Sequence, residues 1–248
     1  MPEHDKDAPI AADMSRRGPW VAYFVETRRP RASLLLVAPL LLAGEALRRW
    51  SHGADAAAPA LVATRLIDAT TALIGTGGGW IPAAAVLATL FVLHFRHPPA
   101  DWREAPIAPP LMLLESALLA LPLIVVGRMM LAIDPFAAAS WSRAVLAGVY
   151  EEFLFRLVLI GVALYALRRA RLPGAAPAMI AALLSGVCFA AAHVAPLGGE
   201  SPATIPLILR TLAGAYLGGV FMLRGFGLAV GAHVAHNLFV VSMFTVRS

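Results

Sequence analysis

Apolar residues in this chain fall in long blocks, separated by short breaks rich in Pro, Gly and Arg. A helix that crosses a bilayer needs about 20 mostly apolar residues. That test predicts spans at 33–50, 79–96, 110–133, 141–167, 176–195, 204–223 and 226–246. Typical breaks are Arg96-His97-Pro98-Pro99 and Arg168-Arg169-Ala170-Arg171-Leu172-Pro173. The stretch 59–75 is ambiguous: Leu61, Val62, Leu66, Ile67, Leu73 and Ile74 follow a helical spacing, but Arg65 and Asp68 interrupt it. It reads as an amphipathic helix at the interface, or alternatively as an eighth span.

Composition strengthens the membrane reading. The 248 residues are 59% apolar and 14% charged, with a mean hydropathy of +0.74. Soluble domains carry about 45–50% apolar and about 25% charged residues, so the surplus here must face lipid. The predicted fold is all-α, a polytopic helix bundle with seven spans and one interfacial helix. The expected location is the plasma (inner) membrane of a bacterium, as a multi-pass protein. The formal charge of +5 comes from 19 Arg and one Lys against 15 acids. No basic patch interleaved with aromatics accompanies it, so it reads as topology and headgroup contact, with no nucleic-acid partner. The single cysteine, Cys188, excludes an intrachain disulfide.

Charge also orders the chain. Residues 1–31 carry six basic and five acidic groups and lack the apolar core of a signal peptide. They are expected to form a cytoplasmic tail that ends in an interfacial helix around Trp20–Tyr23. Membrane helices follow over 32–135, and a second bundle with the candidate chemistry over 136–248. With seven spans, the inner side collects the tail, Arg96, Arg103, Arg168, Arg169, Arg171 and Arg224. The outer side then keeps Arg48, Arg49, Arg65, Arg143 and Arg247, an asymmetry that obeys the positive-inside rule. Eight spans equalise the two sides. Gly214/Gly218 and Gly227/Gly231 have the GxxxG spacing of close helix packing.

Charged groups deep in a bilayer cost at least about 2.5–3.5 kcal/mol each and need a partner or a use. Tyr150-Glu151-Glu152-Phe153-Leu154-Phe155-Arg156 lies near the middle of the 141–167 span. Glu152 and Arg156 are four apart, acid first, the favourable order for an intrahelical ion pair. Glu151 is rotated by about 100° and has no partner on its own helix. Phe189-Ala190-Ala191-Ala192-His193 places an imidazole late in the 176–195 span. His233 and Asn237 share one face of the last span, with His236 on that face or its flank. Singly, each is most simply a helix-packing contact. Together, a free carboxylate, imidazoles and a carboxamide suit attack of a polarised water on a carbonyl. The same ligand types also suit zinc.

Glu-Glu-x-x-x-Arg, Phe-x-x-x-His and His-x-x-x-Asn, in this order on three membrane helices, resemble the motifs of the CAAX protease and bacteriocin-processing (CPBP) family. That family includes the type II CAAX prenyl endopeptidases. The similarity runs over roughly 141–240. It implies an intramembrane glutamic endopeptidase with no metal and no other cofactor, zinc being the alternative. By position, Glu151 becomes the general base and His193 shares the water. His233 and Asn237 form the oxyanion hole, and Glu152, Arg156, Phe189 and His236 support the site. The implied substrate is a membrane-associated protein or peptide, lipidated or C-terminally sorted. His-Glu-x-x-His and Gly-x-Gly-Asp are absent, and Ser185-Gly186 lacks the preceding glycine of a rhomboid motif. Two other classes remain open: a non-catalytic immunity or assembly protein of the same family, and a proton-coupled transporter.

Overall fold

Each predicted apolar block folds as a helix. The computed structural model describes residues 19–50, 80–96, 108–133, 140–194 and 202–245, with Arg65 and Ala72. In chain order the elements are α1 (Pro19–Glu26), α2 (Pro30–Trp50), α3 (Ile81–Arg96), α4 (Ala108–Ile133) and α5 (Trp141–Glu152). A π-helical segment (Phe153–Ile160) follows without a break, then α6 (Gly161–Arg169), α7 (Ala176–His193), α8 (Thr204–Arg224) and α9 (Phe226–Thr245). All of the described elements are helical. Five helices are long and apolar enough to cross a membrane: Pro30–Trp50, Ala108–Met130, Ala176–His193, Thr204–Arg224 and Phe226–Met243. The predicted 79–96 span is a 16-residue apolar helix, short for a crossing. The 141–167 block forms one continuous helix to Arg169, but three charges near its centre set it apart from the apolar five. This is a multi-pass integral membrane protein. The 59–75 stretch lies outside the described residues, except for helical Arg65 and Ala72.

Lipid replaces water as the outer solvent, so the helices are sorted inside-out. On α4, Met112, Ser116, Ala120 and Leu123 are buried at helical spacing, while Leu113, Leu114, Leu118, Leu121 and Val125 face outward. The centre of the bundle is α9, which packs on α2, α4, α5 and α8. Its residues Leu228, Ala229, Val230, Ala232 and Val234 are all buried. One core cluster joins Val37 and Leu41 of α2, Val86 and Leu90 of α3, Val145 and Val149 of α5, and Val230 of α9.

Polar clasps register the helix ends. At one end Arg224 holds Glu115 through two bonds of 2.6 and 2.7 Å, and the Tyr23 hydroxyl donates to the same carboxylate at 2.7 Å. Burial, and then the Glu115 carboxylate, push the Tyr23 hydroxyl pKa up, so it stays a donor. This clasp ties α1 to α4 and to the turn between α8 and α9. Gly225 makes that turn at φ +95°, and a Cβ there would lie 2.7 Å from the Thr27 carbonyl. Toward the opposite end, Tyr150 donates to buried Glu45 at 2.7 Å, Arg48 pairs with Glu45 at 2.8 Å, and the Arg49 guanidinium lies 3.4 Å from the Trp80 ring centre.

α7 and α8 approach closely. A Cβ on Gly186 would lie 2.5 Å from the Thr211 carbonyl oxygen and 2.7 Å from the Ala215 nitrogen, both backbone atoms that no rotamer change can move. Gly186→Val is therefore expected to destabilise the protein by about 1–3 kcal/mol, the usual cost of overpacking. Gly219→Ala, whose Cβ would meet nothing within 4 Å, should not. Thermal unfolding in detergent, followed by circular dichroism, compares the two.

Candidate active site

Ser140 starts the helix that carries both acids. Its hydroxyl accepts the Arg143 amide at 3.3 Å, satisfying one of the free N–H groups of the first turn. Eleven and twelve residues on, Glu151 and Glu152 end the α-helical part, and the helix widens into the π segment. A π turn loosens the regular ladder and often marks a functional position. Here Ser185 of α7, fully buried, donates to the Phe155 carbonyl inside that segment at 2.9 Å.

Each Glu152 oxygen faces a basic group. One carboxylate oxygen accepts from His233 Nδ1 at 2.8 Å, and the other lies 3.0 Å from Arg156 Nε. The second contact is off the hydrogen-bond direction, so its strength is electrostatic. Arg156 Nη2 donates to the Gly214 carbonyl at 3.1 Å, and its guanidinium lies 4.8 Å from the Phe189 ring centre. Both Glu152 and Arg156 are fully buried. Neither could stay charged there alone; each offsets the other's lost hydration.

Glu151 is placed differently. Its Oε1 lies 4.0 Å from His193 Nε2 and its Oε2 lies 3.7 Å from His233 Nε2. Both gaps are too long for a hydrogen bond and short enough for one water to bridge. The tautomers follow from the partners on the far side of each ring. His193 Nδ1 faces the Phe189 carbonyl at 2.8 Å, and a carbonyl only accepts, so Nδ1 carries the proton. His233 Nδ1 faces the Glu152 carboxylate in the same way. In its neutral form each imidazole therefore turns an Nε2 lone pair toward Glu151. Phe189 packs between them, with ring centres 4.7 Å from His193 and 5.8 Å from His233.

The structure thus brings together Glu151, Glu152, Arg156, Phe189, His193 and His233. Asn237, one turn beyond His233, gives an amide N–H to the Ala144 carbonyl at 3.1 Å, about two turns before Glu151 on α5. His236 does not join the cluster: its ring lies against Gly127 of α4, where a Cβ would sit 2.6 Å from it. Among the described residues no three or more His, Cys, Asp or Glu side chains form a group that could hold a metal ion. Sequence reasoning missed Ser185 and the Gly214 carbonyl. A serine inside an apolar block was the available signal for the first, and nothing short of helix docking reveals the second.

Removing one partner of a buried ion pair strands the other. Glu152→Gln is expected to lower unfolding free energy by about 3–5 kcal/mol. Glu151→Gln, which leaves the Glu152–Arg156 pair in place, should leave the thermal midpoint in detergent nearly unchanged.

No curated protein and no solved structure matches the chain. One family model does: type II CAAX prenyl endopeptidase Rce1-like, over residues 134–239. That interval contains α5, the π segment, α6, α7, α8 and most of α9, and with them every residue of the cluster. Residues 134–239 of this chain are therefore a domain of the Rce1-like family of type II CAAX prenyl endopeptidases.

Proposed function

We propose that the protein is an intramembrane endopeptidase of the glutamic type, and that Glu151 is its general base. The observation that carries this is the contrast between the two adjacent acids. Both Glu152 oxygens lie against basic groups, while Glu151 faces two imidazole nitrogens at 3.7 and 4.0 Å, separations that a water lying to one side can bridge. A water in the gap donates one hydrogen to Glu151 and one to His193 Nε2, leaving an oxygen lone pair for a substrate carbonyl. As the C–O bond forms, Glu151 takes the water proton. It then returns that proton to the amine nitrogen as the C–N bond breaks. His233 donates from Nε2 to the oxyanion when its ring is protonated, with Glu152 on Nδ1 offsetting that charge. Asn237 supplies a second donor once its amide turns from Ala144. No metal enters these steps. The substrate is a membrane-associated protein, lipidated or sorted near its C-terminus. An immunity or assembly role needs no such arrangement of Glu151, and a transporter would more often show repeats and broken helices.

Seven crossings are the topology we favour. What supports the count is the contact of Arg49 with Trp80, which puts the end of α2 and the start of α3 at the same end of the bundle. The tail and Arg224 meet at the other, basic end, which the positive-inside rule assigns to the cytoplasm. Glu151 lies ten residues, roughly 15 Å, from Trp141 and roughly 26 Å from Arg168, at 1.5 Å per residue. His193 ends α7 on the Trp141 side. The site therefore opens outward in an inner membrane and suits exported substrates.

Glu151→Gln is expected to reduce cleavage at least about 10²-fold, the lower range for a lost general base, in a folded and inserted protein. Quantitative proteomics of C-terminal peptides, with wild type or variant expressed, measures it. Retained processing by the variant removes the assignment. Reporters fused at Ala58 and Gly199 should both lie outside and one at Gly174 inside; a cytoplasmic Gly199 reporter overturns the sidedness.

A further inference from the structure

The helix that holds both acids continues past the site and ends in a run of arginines. Gly161, Leu164, Tyr165, Arg168 and Arg169 line a shallow groove of about 400 Å³ on α6. Their spacing of three, four, seven and eight residues from Gly161 places them on one helical face. Another face of the helix is covered by protein: Ala163 packs with Ile160 and Ala181, Leu167 borders the same cluster, and Leu164 sits at the boundary between that cluster and the groove. Gly161, at the inner end of the groove, is exposed, and a Cβ there would meet nothing within 4 Å. Tyr165 is 68% exposed at mid-groove, with the Arg169 guanidinium 5.9 Å from its ring centre.

The charges here are unlike those at the ends of α2 and α8. Arg31 pairs with Glu26, Arg48 with Glu45 and Arg224 with Glu115. Arg168, Arg169 and Arg171 have no acidic partner among the described residues, and the sequence holds no Asp or Glu between Arg156 and Glu200. Arg171 also adopts a left-handed backbone at φ +56°, rare outside glycine. The end of a membrane helix thus presents three uncompensated cations, then an aromatic, then an apolar notch, over the roughly 12 Å from Arg169 to Gly161. A phospholipid has that order: an anionic headgroup, an interfacial glycerol region and acyl chains.

We propose that this face of α6 binds one anionic phospholipid. Its phosphate lies between Arg168 and Arg169, with Arg171 adding to the field. The glycerol region lies against Tyr165, and an acyl chain runs past Leu164 into the space beside Gly161. The bound lipid fixes the height of the α5–α6 helix in the bilayer, and so the depth of the acids it carries. The site exists whether or not the protein is a protease.

Native mass spectrometry of the full chain, released from micelles holding equal phosphatidylglycerol and phosphatidylcholine, tests it. Wild type is expected to retain phosphatidylglycerol in preference. R168Q/R169Q should cut that preference by up to about 30-fold, the effect of two interfacial arginines, and R168K/R169K should keep most of it. Gly161→Leu, whose Cβ meets no atom within 4 Å, should reduce retention with unchanged thermal stability; if the double Gln variant fails to fold, Gly161→Leu decides. Equal retention of the two lipids by wild type overturns the proposal, as does an unchanged preference in the folded variants. Displacement of the lipid by millimolar inorganic phosphate overturns it too, since that marks a free-anion site.

Discussion

A guanidinium and a carboxylate, neither touched by solvent, face each other across 3.0 Å in the middle of this bundle. Their attraction is strong because nothing around them screens it, and their separation would be costly for the same reason. The pair also reaches beyond its own helix. Arg156 ties the π segment to the Gly214 carbonyl of α8, and Glu152 ties it to His233 of α9. Two ions that must stay together therefore hold three helices in one rotational setting. Any slip of α8 or α9 would leave a charge in hydrocarbon without its partners.

That lock is what frees the neighbouring acid. Adjacent residues on a helix point about 100° apart, so Glu152 can turn inward to the lock while Glu151 turns to the imidazoles. Each imidazole is itself anchored on its far nitrogen, one by a backbone carbonyl and one by Glu152. Anchored rings cannot swing to collapse onto Glu151, and the separations of 3.7 and 4.0 Å are kept. Phe189 closes the floor of this arrangement, giving its carbonyl to one imidazole and its ring to both. An apolar residue in a motif of polar ones thus acquires a physical reason.

The π segment contributes at the same point. A helix that widens directly after its two acids leaves carbonyls less well paired, and Ser185 supplies a donor to one of them. The small residues beside it, Gly186 and Gly214, let α7 and α8 approach until backbone nearly meets backbone. That approach brings the Gly214 carbonyl within reach of Arg156 and seats the Phe189 ring beneath the guanidinium. In a bilayer, where burying apolar surface between helices yields no hydrophobic gain, such close contact and polar satisfaction are what association rests on.

How much of this was legible in one dimension depends on the range of each interaction. Membrane character, the helical blocks and the Glu152–Arg156 pair follow from composition, from run length and from a spacing of four, all local properties of the chain. So does the isolation of Glu151 on its own helix. Ends were less certain: α2 begins at Pro30 and the acid-bearing helix runs on to Arg169 through a π turn that no periodicity announced. The direction a helix turns about its axis is not local. His233 and His236 are three residues apart in one apolar block, yet the packing of α9 sends the first to two glutamates and the second to a glycine of α4. Likewise Arg49 reaches Trp80, and Ser185 reaches Phe155, only once helices far apart in sequence have docked. The chain by itself determined which chemical groups enter the membrane and on which helices they ride. Tertiary packing alone decided which of them meet, because in lipid a helix is oriented by its neighbours' shape and polar groups rather than by a pattern it carries itself.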